Sequence, residues 1–244
     1  MMKHICLFAF LLIVFFNVKA QCQFLEFGLG TKYDVFKIKQ PENVFKRNFD
    51  LGATAFIAYG RPFINKQVFW EVGLATNNYK LNFKVNGDSG LIFSNRELVS
   101  VMRSNRLFLN VIHLTKQINS KFSWANTFGI SLLIGAKNPY DVILQRSREI
   151  ETTKGSENVD IKIKTYGLTG SAILIGAGTK LYYQMNKEIK LVANLAFIAG
   201  LSELTKVDVD YVFGSNINYK KAIFSSNGFA PMFTLGIKYD LKKN

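Results

Sequence analysis

From Phe229 to Leu241 the chain alternates strictly. Phe229, Pro231, Phe233, Leu235, Ile237, Tyr239 and Leu241 hold the odd positions, and Ala230, Met232, Thr234, Gly236, Lys238 and Asp240 the even ones. A period of two sends successive side chains to opposite faces of a strand. One face is apolar and aromatic, the other small or polar, so the apolar face requires either a protein interior or lipid.

The same pattern recurs along the chain. Gln23–Val35 sets Leu25, Phe27 and Leu29 against Glu26, Gly28 and Lys32, and 48–59 sets Leu51, Ala53 and Ile57 against Asp50, Gly52 and Thr54. A third strand starts at Val68, with Glu71 facing away from Val72 and Leu74. It changes phase after Asn77-Asn78, which predicts a bulge there. Residues 106–118 alternate poorly, with apolar side chains on both faces, whereas 122–135 alternate well. Residues 165–185 are glycine-rich with an ambiguous phase. Residues 189–213 read as one long strand with Lys190 on its polar side, and 229–241 is the eighth strand.

The segments between strands alternate in length. Residues 37–47, 86–105, 136–164 and 214–228 are long, whereas 61–67, 119–121 and 186–188 are short. The segment 136–164 is rich in charges of both signs and predicts an exposed, mobile loop. This rhythm predicts an all-β, eight-stranded antiparallel up-and-down transmembrane β-barrel, with short periplasmic turns and long extracellular loops.

What precedes the first strand agrees with that choice. Met1-Met-Lys-His is a short basic start, Ile5–Phe16 is an apolar run, and Val18-Lys-Ala20 supplies small residues before Gln21. Residues 1–20 therefore read as a secretory signal peptide cleaved after Ala20, leaving 21–244 as the barrel. Beyond it no run approaches the length of a spanning helix, so a membrane protein of this composition must cross with strands. With 48% hydrophobic residues, the chain carries a large apolar surface and little helical pattern. Cys22, alone after the leader, can form no internal disulfide.

The end of the chain carries a more specific likeness. Thr234, Gly236, Tyr239 and Leu241 have the order of a polar residue, a glycine and then aromatic or apolar residues on one face. The chain resembles the PorT-like family of small outer-membrane β-barrels of Gram-negative bacteria over residues 21–244. The resemblance implies that those four residues form the signal read by the barrel-assembly machinery. It also implies an outer-membrane location and, for some members, a part in protein secretion. Lys242-Lys-Asn244 departs from the pattern, since many such barrels stop on an aromatic residue.

An eight-stranded barrel has an interior just wide enough to be filled by side chains. Glu26, Lys32, Asp50, Glu71, Lys190, Lys238 and Asp240 are expected to form an ionic network that plugs it; the alternative is a narrow channel or transporter. The formal net charge of +14 points to anionic partners. Without a basic-aromatic cluster that reading favours phosphate-bearing outer-membrane glycolipid over nucleic acid. Lys37, Lys39, Lys46 and Arg47, in the first long connection, are the candidate lipid contacts. A structural, surface-binding or secretion-accessory role follows, with secretion-system or surface partners unspecified.

Catalysis is not expected. After the leader His113 is the one histidine, with Ser131 on the next strand and Thr115 nearby as conceivable partners for a lipid-modifying enzyme. One histidine and one terminal cysteine make no metal-ligand set, and no cofactor is expected.

Overall fold

The computed structural model describes residues 23–41, 44–47, 51–63, 67–78, 82–85, 92–94, 103–135, 142–152, 155–166, 171–213 and 218–241. The leader, Cys22 and Asp50 lie outside them. In chain order the strands are β1 (Phe24–Lys32), β2 (Lys37–Lys39), β3 (Phe45–Arg47), β4 (Gly52–Pro62), β5 (Val68–Asn78), β6 (Asn82–Val85), β7 (Ile92–Ser94) and β8 (Arg103–Gln117). They continue as β9 (Phe122–Gly135), β10 (Val142–Thr152), β11 (Gly155–Tyr166), β12 (Ser171–Gln184), β13 (Ile189–Gly200), β14 (Thr205–Phe213), β15 (Lys220–Ser226) and β16 (Ala230–Asp240).

Eight of these strands close into an antiparallel barrel in the order β1-β16-β13-β12-β9-β8-β5-β4. Closure joins the first strand to the last, with Phe24 opposite Asp240 and Lys32 opposite Met232. Closing the sheet leaves no edge strand with unpaired backbone groups.

The described parts of the long connections are not simple loops. They hold a five-stranded sheet, β10-β11-β14-β15-β2, and a three-stranded sheet, β3-β6-β7. Their order repeats that of the barrel strands to which each is joined in the chain. Thus β11, β14, β15 and β2 stand over β12, β13, β16 and β1, while β3, β6 and β7 stand over β4, β5 and β8. The extension is the barrel wall carried further and parted at two seams, between β2 and β3 and between β7 and β10. Across the first seam, Phe45 of β3 meets Tyr211 and Phe224 with ring centroids 5.0 and 5.7 Å apart. Phe36 joins them at 6.0 Å from Phe224.

Four expectations are corrected by this arrangement. The polar segment 136–164 contains the β10–β11 hairpin, paired from Val142–Thr165 to Thr152–Gly155. Its charges mask the alternation of Val159, Ile161 and Ile163 with Asp160, Lys162 and Lys164. The strand read as 189–213 breaks after Gly200, and β14 begins at Thr205 in the other sheet. Segment 214–228 contains β15. No bulge interrupts β5 up to Asn78, because its register with β4 and β8 runs evenly; the change of phase there is the passage to β6. The irregularity lies instead between Leu114 and Lys116, where β8 pairs with β9.

Greasy side chains divide sharply between the two regions. Among the described residues, the large exposed hydrophobics lie on the barrel strands or the short segments flanking them, with Tyr219 the exception. They include Leu29 at 71% exposure, Phe128 at 62% and Leu235 at 58%. In the extension Val207, Val209, Tyr211, Ala222 and Phe224 are buried.

Candidate functional site in the barrel lumen

Even positions of β1, β4, β12, β13 and β16 turn inward, so the polar side of each alternating strand converges on the axis. At the centre, Lys180 Nζ donates to Glu26 Oε1 and to Glu71 Oε2, both at 2.8 Å. Asn110 Nδ2 donates to the other oxygen of Glu71 at 2.7 Å. Asn110 fits because Gly129 faces it: a Cβ on that glycine would collide with the amide.

Lys238, opposite Glu26 on the neighbouring strand, is held differently. Its ammonium lies 3.5 Å from the centre of the Phe24 ring, with Phe69 and Tyr182 at 5.0 and 5.1 Å. A desolvated cation over an aromatic face gains about 2 kcal/mol. Glu26, Glu71, Lys180 and Lys238 thus carry balancing charges within one buried layer. Removing ions from water costs several kcal/mol each, so a cluster of this kind stands only when its members are mutually paired.

Apolar layers cap the ionic one. Toward the short turns lie Phe24, Ile112, Ala125, Tyr182 and Val192, with Phe69 and Leu114 against them. On the other side Phe56 packs on Ala58, Ala75 and Phe108. A cavity of about 50 Å³ remains beside Glu71, Asn110 and Lys180, room for one or two waters at ~30 Å³ each in the liquid. Side chains from all eight strands fill most of the interior at this level.

The expected network is brought together in part. Glu26, Glu71 and Lys238 share the central layer. Lys32 lies towards the extension, paired with Asp34 at 2.6 Å. Lys190 and Asp240 form a separate pair at 2.6 Å near the short turns, where both are partly exposed. Lys180, Asn110 and Asp34 were missed. The clue to Lys180 was the outward series Ile173, Ile175, Leu181 and Tyr183, which fixes the even positions of β12 as inward. Leu174 and Tyr182, buried in the lumen, blurred it. Poor alternation in 106–118 has the same cause, since Phe108 and Ile112 fill the interior.

The four candidate assembly residues lie at the end of β16. Thr234 is buried and accepts a 3.3 Å bond from Asn194, and Gly236 sits against Phe27 and Gly28 of β1. The Tyr239 hydroxyl donates to Glu188 at 3.3 Å, and the Leu241 amide donates to the Gln23 carbonyl at 2.7 Å. Lys37, Lys39, Lys46 and Arg47 are exposed on the extension, with Arg47 over the Phe36 ring at 5.8 Å.

His113 and Ser131 are not brought together. His113 is exposed on the outer wall opposite Asn126, whereas Ser131 is buried in the lumen opposite Phe108. The Thr115 hydroxyl binds the backbone carbonyl of His113 rather than its ring.

Aromatic side chains gather on the outer wall near the short turns. Tyr59 meets Trp70 at 5.8 Å under Arg61, Phe122 meets Tyr183 at 4.9 Å, and Trp124 and Tyr239 stand exposed nearby.

No protein-family model and no curated protein matches the chain in sequence. Solved structures do match in fold. The chain is similar to the outer membrane protein OprG from Pseudomonas aeruginosa, with a TM-score of 0.50 over 92% of this chain and 98% of that one, at 10% identity. It is also similar to Neisserial surface protein A, with a TM-score of 0.47 at 8% identity, covering 90% and 97%. Together with the closed strand order, the first of these likenesses defines the class: an eight-stranded antiparallel barrel of the kind found in outer-membrane proteins.

Proposed function

We propose that the chain is an integral outer-membrane barrel of a Gram-negative bacterium with a structural, surface-binding or secretion-accessory role and a lumen closed to ions. One observation carries this reading: among the described residues the barrel exposes many large hydrophobics on its outer face, while Val207, Val209, Tyr211 and Phe224 of the extension are buried. A soluble monomer seldom exposes an apolar patch beyond a few hundred Å². Lipid removes that cost, and the aromatic residues near the short turns suit an interfacial girdle.

In this orientation the short turns and both ends of the mature chain face the periplasm, and the extension stands outside the cell. The leader is removed after Ala20. Thr234, Gly236, Tyr239 and Leu241 present the assembly signal to the insertion machinery, as in the PorT-like family. Lys37, Lys39, Lys46 and Arg47 meet glycolipid phosphates at the surface. The role is non-catalytic, a reading supported by His113 and Ser131 lying on opposite faces of the wall.

Gel migration in detergent tests the central claim. The folded protein is expected to run faster before boiling than after it, whereas a chain soluble and monomeric without detergent would sink the proposal. Planar-bilayer recording tests the closed lumen: a large, stable single-channel current would overturn it.

A further inference from the structure

At the waist between barrel and extension, the outer wall carries a groove of about 470 Å³. Its lower part sets the apolar Leu201 and Phe229 beside Ser202 and Glu203. Leu201 is 69% exposed and Phe229 39%, and Phe229 stacks on Phe197 with centroids 6.5 Å apart. Its upper part is polar, with Lys37, Ser225 and Asn227 among its lining residues. The groove is built rather than accidental. Gly200 N donates to Asn227 O at 2.7 Å, and Gly228 turns the chain at φ 74°, where a side chain would meet Leu204.

Above the groove, register sets a row of cations. Ser225 of β15 lies opposite Lys37 on one side and Lys206 on the other, which places the two lysine backbones about 10 Å apart across three strands. Lys206 lies 4.0 Å from Asp208, a carboxylate that also pairs with Lys221. No acidic partner of Lys37 is present among the described residues. Glu203 is the acid in the lining.

We propose that this groove seats one phosphorylated membrane lipid, its phosphate bound by Lys37 with Lys206 behind it and an acyl chain lying along Leu201 and Phe229. The inference rests on the barrel reading above and locates the lipid that the reading only places in general. Charge complementarity and the join of an apolar floor to a basic lip select an anionic amphiphile. A soluble anion would leave the floor empty, and a zwitterionic lipid would leave the lysines less well matched.

The test uses the full mature chain in neutral detergent. Native mass spectrometry would follow uptake of phosphatidic acid and of phosphatidylcholine with the same acyl chains, with inorganic phosphate as competitor. One tightly retained phosphatidic acid is expected, favoured over phosphatidylcholine by about tenfold. K37Q should remove most of that preference, L201N should weaken retention of both lipids, and E203Q should strengthen phosphatidic acid alone. Heat-modifiable migration checks that each variant folds. Normal migration with equal uptake of the two lipids, or with K37Q and E203Q both silent, overturns the seat alone. Displacement by millimolar inorganic phosphate overturns the amphiphile in favour of a simple anion site. Loss of heat-modifiable migration in the unaltered chain overturns the barrel and the seat together.

Discussion

In β13, Leu191, Leu195 and Phe197 stand exposed on the outer wall, and the even positions Val192, Asn194 and Ile198 are buried in the lumen. In β14 the odd positions Val207, Val209 and Tyr211 are buried, with Tyr211 against Phe45, and the even positions Asp208 and Val212 are covered as well. Parity is unchanged, yet the greasy row passes from the outside of the wall to the inside. Between the two strands, Leu201 to Leu204 forms no ladder and Leu204 is itself buried. The barrel and its extension therefore solve opposite problems with one pattern. In the barrel the apolar face is outward and the ions are hidden; in the extension the apolar row of β14 is inward and lysines are shown.

This contrast can be tested from both sides. The largest effect is expected at Lys180. Lys180→Ala leaves Glu26 and Glu71 buried beside each other without their shared cation, a loss of about 3–5 kcal/mol. Urea titration in detergent followed by gel migration should show the barrel badly destabilised, and a wild-type midpoint would mean that the ionic layer does not hold the lumen. Next, Phe224→Ala should remove about 3–5 kcal/mol from the extension, while the barrel keeps its heat-modifiable migration. Limited proteolysis should then cut within 205–226 and spare the barrel strands; simultaneous loss of both would mean that the two regions fold as one unit. Leu235→Arg puts a cation on the outer belt and should cost about 2–4 kcal/mol in bilayers. The same change at Tyr219, exposed on the extension, should stay within about 0.5 kcal/mol. Equal penalties at the two positions, measured by refolding into vesicles, would erase the distinction between lipid-facing and water-facing surface.

Much of the barrel was legible because its outward residues follow one rule. In β1, β4, β9, β13 and β16 the outward positions are almost uniformly apolar, so phase and closing partner could be read from residues such as Phe27, Ile57, Ile130, Leu195 and Leu235. The lumen is less uniform. It accepts Glu26 and Lys180 but also Phe108, Ile112 and Tyr182, so strands that send aromatics inward lose their contrast. Lys180 was hidden for that reason. The extension was missed on other grounds. Its outer face, with Lys37, Lys39, Asp208 and Lys221, has the composition of a loop, and in β14 the apolar row keeps the odd positions it holds in β13. The junction at Leu201-Ser202-Glu203-Leu204 carries no proline, and Gly200 before it is one of several small residues along β13. What distinguishes an outward apolar wall from a wall around a core is the partner across the seam, here Phe45, and pairing at that distance leaves no local trace in the chain.

The short join between β13 and β14 also works as a counter. Side chains in a strand alternate with a period of two, so adding or removing one residue there would turn all of β14 over. Val207, Val209 and Tyr211 would face water, and Lys206, Asp208 and Asp210 would face Phe45 and Phe224. Related chains that keep this two-storey wall should therefore differ at the join by even numbers of residues. Among such lineages, an odd change should coincide with loss of the aromatic core above it.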